Sequence, residues 1–138
     1  MNEKLRNSGT NSIENKQAAE NSFNVAYRRN LQTDSLDFMS PVIEKITGFS
    51  AQEMIAMGSI SNTGNLIHSD DLPLVNAGFA HALDIGFGTL EYRFKHKDGK
   101  YRWFADHFTI IKDQKGKPLF SEGIMCDITE IKKAELKK

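Results

Sequence analysis

The 138-residue sequence holds one cysteine, carries no net charge, and has no apolar run long enough to span a bilayer. The lone Cys126 excludes an internal disulfide and a cysteine zinc site. It fits a reducing compartment and reads as a small buried hydrophobe near the end of a strand. Lys and Arg together number 18, as do Asp and Glu, so no global field draws the chain to nucleic acid or to an anionic membrane. Met1 to Gly9 is polar and has no hydrophobic core region, so no secretory signal is read and the cytoplasm is the expected location. Glycine-rich phosphate loops, nucleophile motifs of serine, histidine and acid, and internal repeats are absent as well. His68, His96 and His107 fall on a loop, a hairpin and a strand, and nothing in their spacing gathers them into a site.

What is present suits one globular domain: 39% apolar and 26% charged residues, with a mean hydropathy of -0.47. Residues Met1 to Thr10 carry too little apolar surface to offset the entropy of ordering, and read as a flexible lead-in. Asn11-x-x-Glu14 resembles a capping box for a short N-terminal helix. Phe23, Val25 and Tyr27 then alternate with polar residues as a half-buried strand does, Gln32 to Ser35 makes a turn, and Leu36 to Met39 is the hairpin partner. Ser40-Pro41 starts a brief helix that ends at Gly48, and Ser50-x-x-Glu53 caps another containing Met54 and Met57. After a polar loop from Gly58 to Asn65, Ser69, Asp70 and Asp71 offer caps and negative charge to the longest helix, with Pro73 in its first turn and Leu72, Val75, Phe79, Ala82 and Leu83 on one face.

Beyond Gly88 the period changes to two. Leu90, Tyr92 and Phe94 share one strand face, and Glu91, Arg93 and Lys95 the other. Asp98-Gly99 makes a tight hairpin, so Tyr101 to Ile111 returns antiparallel, with Trp103 and Ile111 on one face and Phe104, Phe108 and Ile110 on the other. Leu119 to Cys126 forms a last strand, and Asp127-x-x-Glu130 caps a charged terminal helix.

Taken in order, these segments resemble a PAS domain with its C-terminal PAC segment, of the PAS fold-3 type. The resemblance runs from about Ser22 to Lys132. It is carried by the opening strand pair from Asn24 to Met39, by Ile46-Thr47-Gly48-Phe49-Ser50, and by His68-Ser69-Asp70-Asp71, where Ser69 replaces the family's usual proline. Glu91-Tyr92-Arg93, Lys97-Asp98-Gly99 and Tyr101-Arg102-Trp103 match its central hairpin, and Gly123 with Asp127-Ile128-Thr129 its exit signal. The resemblance implies an α+β fold in which a five-stranded antiparallel sheet, ordered 2-1-5-4-3, carries short helices over its concave face. It divides the chain into a lead-in over 1–21, a sensor domain over 22–127 and a signalling helix over 128–138. It further implies a sensory module of a signal-transduction protein, such as a bacterial or archaeal histidine kinase, with no catalysis of its own and a kinase or cyclase as downstream effector. No effector segment is present, so the chain is expected to be a fragment cut at a domain boundary or a stand-alone module.

Phe38, Phe49, Met54, Met57, Phe79, Tyr92, Phe94 and Phe104 are the expected lining of a pocket between helices and sheet. The same side chains fill cores and ligand pockets alike, so composition leaves both open. No cofactor is assigned. A haem would need His81, which falls on the helix face opposite the apolar stripe, and a covalent flavin photocycle needs a cysteine on an earlier helix. Asp127 and Thr129 are the expected couplers of sheet to terminal helix, and the isoleucines Ile128 and Ile131 suggest pairing across a homodimer axis. Two other readings stand beside sensing: a purely structural dimerisation module with a filled interior, and a small α+β enzyme. The last requires Asp37, Glu91 or Asp106 to point inward with a raised pKa.

Overall fold

The computed structural model describes residues 24–57 and 64–136. The expected N-terminal helix, the strand position of Phe23, most of the loop from Gly58, and Lys137 and Lys138 lie outside them. Among the described residues no helix is long and apolar enough to cross a membrane.

Five strands, β1 (Val25–Asn30), β2 (Ser35–Met39), β3 (Phe87–Lys95), β4 (Tyr101–Lys112) and β5 (Pro118–Asp127), form one sheet in the order β2-β1-β5-β4-β3. Every neighbouring pair is antiparallel. The helices are α1 (Ile43–Thr47), α2 (Ala51–Ala56), α3 (Leu72–Ile85) and α4 (Thr129–Leu136). Val25, Ile43, Ile46 and Phe104 are almost fully enclosed where helices meet sheet. Each such side chain contributes about 1.5–3 kcal/mol by leaving water.

The local signals work through identifiable bonds. Gly48 closes α1 at φ 80°, a conformation that costs glycine nothing, and its amide donates to Glu44 O. At the start of α2, Ser50 Oγ accepts from the Glu53 amide and Glu53 Oε1 from the Ser50 amide, at 3.0 and 2.8 Å. Gly78 lets α3 lie close on β3, since a Cβ there would stand 2.4 Å from Leu90 Cδ2.

Four expectations change. The Ser40 hydroxyl accepts from the Val42 amide at a long 3.4 Å, but α1 begins at Ile43, beyond the proline. Asp71 stands at the N-terminus of α3 but makes no side-chain cap. Its carboxylate instead takes the Arg93 amide, Nε and Nη2 at 2.8, 2.9 and 2.8 Å, because a bidentate guanidinium and a strand amide together outcompete a cap. In the β3–β4 turn only Gly99 has positive φ, at 93°, so Asp98 is not the left-handed residue of a two-residue loop. At the start of α4, Asp127 accepts from the Thr129 amide at 2.9 Å, and Glu130 pairs with Lys133 at 3.8 Å.

Candidate functional site

The inward faces of the strands line, with α1, α2 and α3, a partly open cavity of about 480 Å³. Met54 on α2, Phe79 on α3, Tyr92 and Phe94 on β3 and Phe104 on β4 line it as expected from the sequence. Phe38, Phe49 and Met57 do not. The β1–β2 register explains Phe38. Arg28 pairs with Phe38 but Arg29 pairs with Leu36, leaving Asp37 as an extra residue. That bulge turns both Leu36 and Met39 inward and leaves Phe38 half exposed on the other face. Phe49 packs against the core from the α1–α2 junction, with Lys97 Nζ 5.7 Å from its ring centroid. Met57 packs against the core after the end of α2. His81 is exposed on α3 and does not line the cavity.

The floor holds polar groups, of which pattern reading placed Tyr92 in the pocket, named Asp106 only as a candidate, and did not place Tyr27 or Arg29 there. Alternation along β1 sends Val25, Tyr27 and Arg29 inward, and alternation along β4 does the same for Phe104, Asp106 and Phe108. Tyr27 O–H donates to Asp106 Oδ1 at 2.7 Å and Tyr92 O–H to Oδ2 at 3.0 Å. Asp106 is only 8% exposed. Burial pushes its acid up to about 6 despite the two tyrosine donors and the Arg29 guanidinium, which act the other way. Both phenols are held well above their ordinary range, first by burial and then by the Asp106 charge. Burial pulls the Arg29 guanidinium down, offset in part by Tyr27 and Asp106. Arg29 lies over the Phe79 ring, 4.7 Å from its centroid, and among the described residues its Nε is buried without a hydrogen-bond partner.

Of the three acids, any one of which would serve the enzyme reading, Asp106 points inward with a raised pKa. Asp37 is exposed and bonded to Asn30, and the exposed Glu91 carboxylate holds Lys132 on α4 at 2.8 Å. Among the described residues no group of three or more His, Cys, Asp or Glu could hold a metal ion.

The exit from the sheet is tied by side chains of two neighbouring strands. Asp127 accepts from Arg102 Nε through Oδ2 and from both the amide and the hydroxyl of Thr129 through Oδ1. The Thr129 hydroxyl accepts in turn from the Trp103 amide at 3.0 Å, and the Ile128 amide donates to Trp103 O at 2.8 Å. Lys132 of α4 sits over the Trp103 ring, 4.9 Å from its centroid, covering part of the convex face. Phe104 is paired directly with Asp127 across the β4–β5 ladder, so a wall of the cavity and the anchor of α4 face each other in register.

A family model described as PAS fold matches residues 36–125. A crystal structure of a sensory box histidine kinase/response regulator from Burkholderia thailandensis superposes with a TM-score of 0.73 at 25% identity, over 87% of this chain and 88% of that one. The N-terminal domain of a diguanylate cyclase with PAS/PAC sensor from Marinobacter aquaeolei shares the fold at a TM-score of 0.69 and 24% identity, over 77% and 95% of the two chains. Over 102 residues the chain is 32% identical to a methyl sulfide methyltransferase-associated sensor from Methanosarcina acetivorans, covering 72% of this chain and 10% of that protein. The chain therefore spans about a tenth of that curated relative's length. With the family model covering most of the sheet and one crystal structure sharing the fold along nearly all of both chains, the chain belongs to the PAS fold family, the sensory modules of signal-transduction proteins.

Proposed function

We propose that this PAS module binds a small molecule in its cavity and passes the consequence to a downstream effector, a histidine kinase, through α4. One observation carries the reading: Phe104, which lines the cavity, stands opposite Asp127, which anchors the helix. A cavity of about 480 Å³ lies within the usual range for small-molecule sites, about 300–1,000 Å³, and favours sensing over a purely structural module with a filled interior. The kinase as effector is supported by the Burkholderia thailandensis relative. A homodimer is supported by α4, whose Ile131 and Leu136 are 59% and 81% exposed, and a second copy would cover them. Native mass spectrometry of freshly purified protein tests the ligand, and sedimentation equilibrium tests the dimer. A retained small molecule that slows or speeds amide exchange over 128–136 is the expected result. Exchange in α4 that ignores every bound molecule refutes the coupling.

A second reading, catalysis by Asp106, is favoured by the raised pKa of this buried carboxylate. It demands turnover. Incubating the protein with its retained molecule and following that molecule by NMR separates the two: a ligand returned unchanged supports sensing, and a product that Asp106→Asn no longer forms makes the chain an enzyme.

A further inference from the structure

Resting on the proposed ligand site, the polar floor of the cavity narrows what can occupy it. A carboxylate has about four acceptor positions, and the two tyrosines fill one on each oxygen of Asp106. One further acceptor position per oxygen remains on a group that lines the cavity. Arg29 lines the same cavity with a buried donor, Nε, that has no partner among the described residues. The deep end thus pairs one cation with one anion, and exposed Asp34 belongs to the lining as well. His107, the next titratable side chain on β4, faces the opposite side, beside Thr89. A ligand bringing its own full charge would leave that charge uncompensated away from water, whereas an uncharged head that both donates and accepts would satisfy both groups. The remaining walls suit a flat body. Phe79 and Phe108 stack at 5.8 Å between centroids, and Phe94 and Phe104 at 5.4 Å.

We propose that the cavity selects an uncharged, flat aromatic molecule bearing a hydroxyl or ring N–H, whose proton is donated to Asp106 and whose acceptor atom faces Arg29. The carboxylate reads the donor, and the phenylalanines hold the ring without regard to its identity.

A matched probe series tests this on the full chain by isothermal titration calorimetry at about pH 7.5: 2-naphthol, 2-methoxynaphthalene, 2-naphthoate and 2-naphthylmethylamine. A hydrogen bond to a charged acceptor is worth more than one to a neutral acceptor. 2-Naphthol should therefore bind at least about tenfold more tightly than its methyl ether, which keeps the body and acceptor but lacks the donor. It should also outbind both charged analogues. In Asp106→Asn the preference for naphthol over the ether should shrink to about threefold or less. The wild-type series decides the matter even where the variant folds poorly. Equal affinities for naphthol and ether, or tightest binding of the naphthoate or the amine, overturn the donor rule while leaving a ligand cavity in place. Binding of none of the four overturns the ligand site together with the rule.

Discussion

Replacing Asp106 by Asn removes one titrating group from the floor of the cavity and leaves its shape. In the folded protein this acid is pushed up to about 6, against an ordinary value of 3.8. The native state therefore binds the proton more tightly than the unfolded chain, and the stability that this group contributes is present in acid and lost as pH rises through about 6. The gap of about two pH units corresponds to about 3 kcal/mol, of which roughly 2 kcal/mol falls between about pH 4.5 and 7.5. Urea unfolding of wild type and Asp106→Asn across that interval measures it. Carboxylates held low by partners elsewhere, such as Asp71 and Glu53, titrate in both proteins and cancel in the difference. The new amide exchanges its own hydrogen bonds with Tyr27 and Tyr92, which adds a constant offset and no slope. Wild-type stability minus variant stability should fall by roughly 2 kcal/mol from the acid end to the neutral end. A difference that is flat with pH, or that rises, refutes the placement of a buried carboxylate whose burial outweighs its partners.

Asp71→Asn should show the opposite slope. The Arg93 side chain beside Asp71 holds the carboxylate below its ordinary value, so the stability it contributes is present at neutral pH and is lost as pH falls below about 4. Variant and wild type should converge in acid, and parallel urea-unfolding curves down to about pH 2.5 would refute the pairing. Asp127→Ala removes the acceptor of the Thr129 amide and of Arg102. It should cost about 1 kcal/mol and speed amide exchange in α4 well before the rest of the sheet; unchanged exchange over 128–136 would remove Asp127 from the coupling. Phe104→Ala, at the most enclosed aromatic position, should cost about 3–5 kcal/mol in urea unfolding, and a loss under 1 kcal/mol would mean that the cavity collapses around the missing ring.

Elements with strong local signals were legible in the sequence: the Ser50 capping box, Gly48, and the alternation of Leu90, Tyr92 and Phe94. Within the pocket, five of the eight expected side chains line the cavity. Phe38 is displaced because a single bulged residue, Asp37, reverses the alternation of β2, and nothing local announces a bulge. Asp71 reads as a cap because its partner Arg93 is 22 residues away, and long-range pairing outranks the local role. The polar floor did have a signal. An acid in the inward register of Phe104 and Phe108, with tyrosines in the inward registers of β1 and β3, is a buried hydrogen-bond network waiting for its strands to align. The expected strand order already put β1 next to β5, the pairing that brings Tyr27 within reach of Asp106 across the sheet; what pattern reading did not do was carry the inward register of β4 through Asp106.

That same alignment explains how an event in the cavity can reach α4. Along β4, Trp103 and Phe104 point to opposite faces, so one step of backbone separates the wall of the cavity from the residue whose amide and carbonyl hold Thr129 and Ile128. A ligand that presses on Phe104 or draws on Asp106 acts on a strand whose hydrogen bonds end at the helix start. Pressure alone shifts nothing. The helix changes population only to the extent that the ligand prefers one arrangement of β4 and β5, and about 1.4 kcal/mol of preference is needed for each tenfold change. A donor bonded to a buried carboxylate is the kind of contact, at about 1.5–3 kcal/mol, that can supply such a preference. Signal strength in a series of bound aromatics should therefore follow the strength of the bond to Asp106 and not the size of the ring. Amide exchange over 128–136 that instead tracked ring size, and was the same with 2-naphthol and its methyl ether at saturation, would move the origin of the signal from Asp106 to the phenylalanine walls.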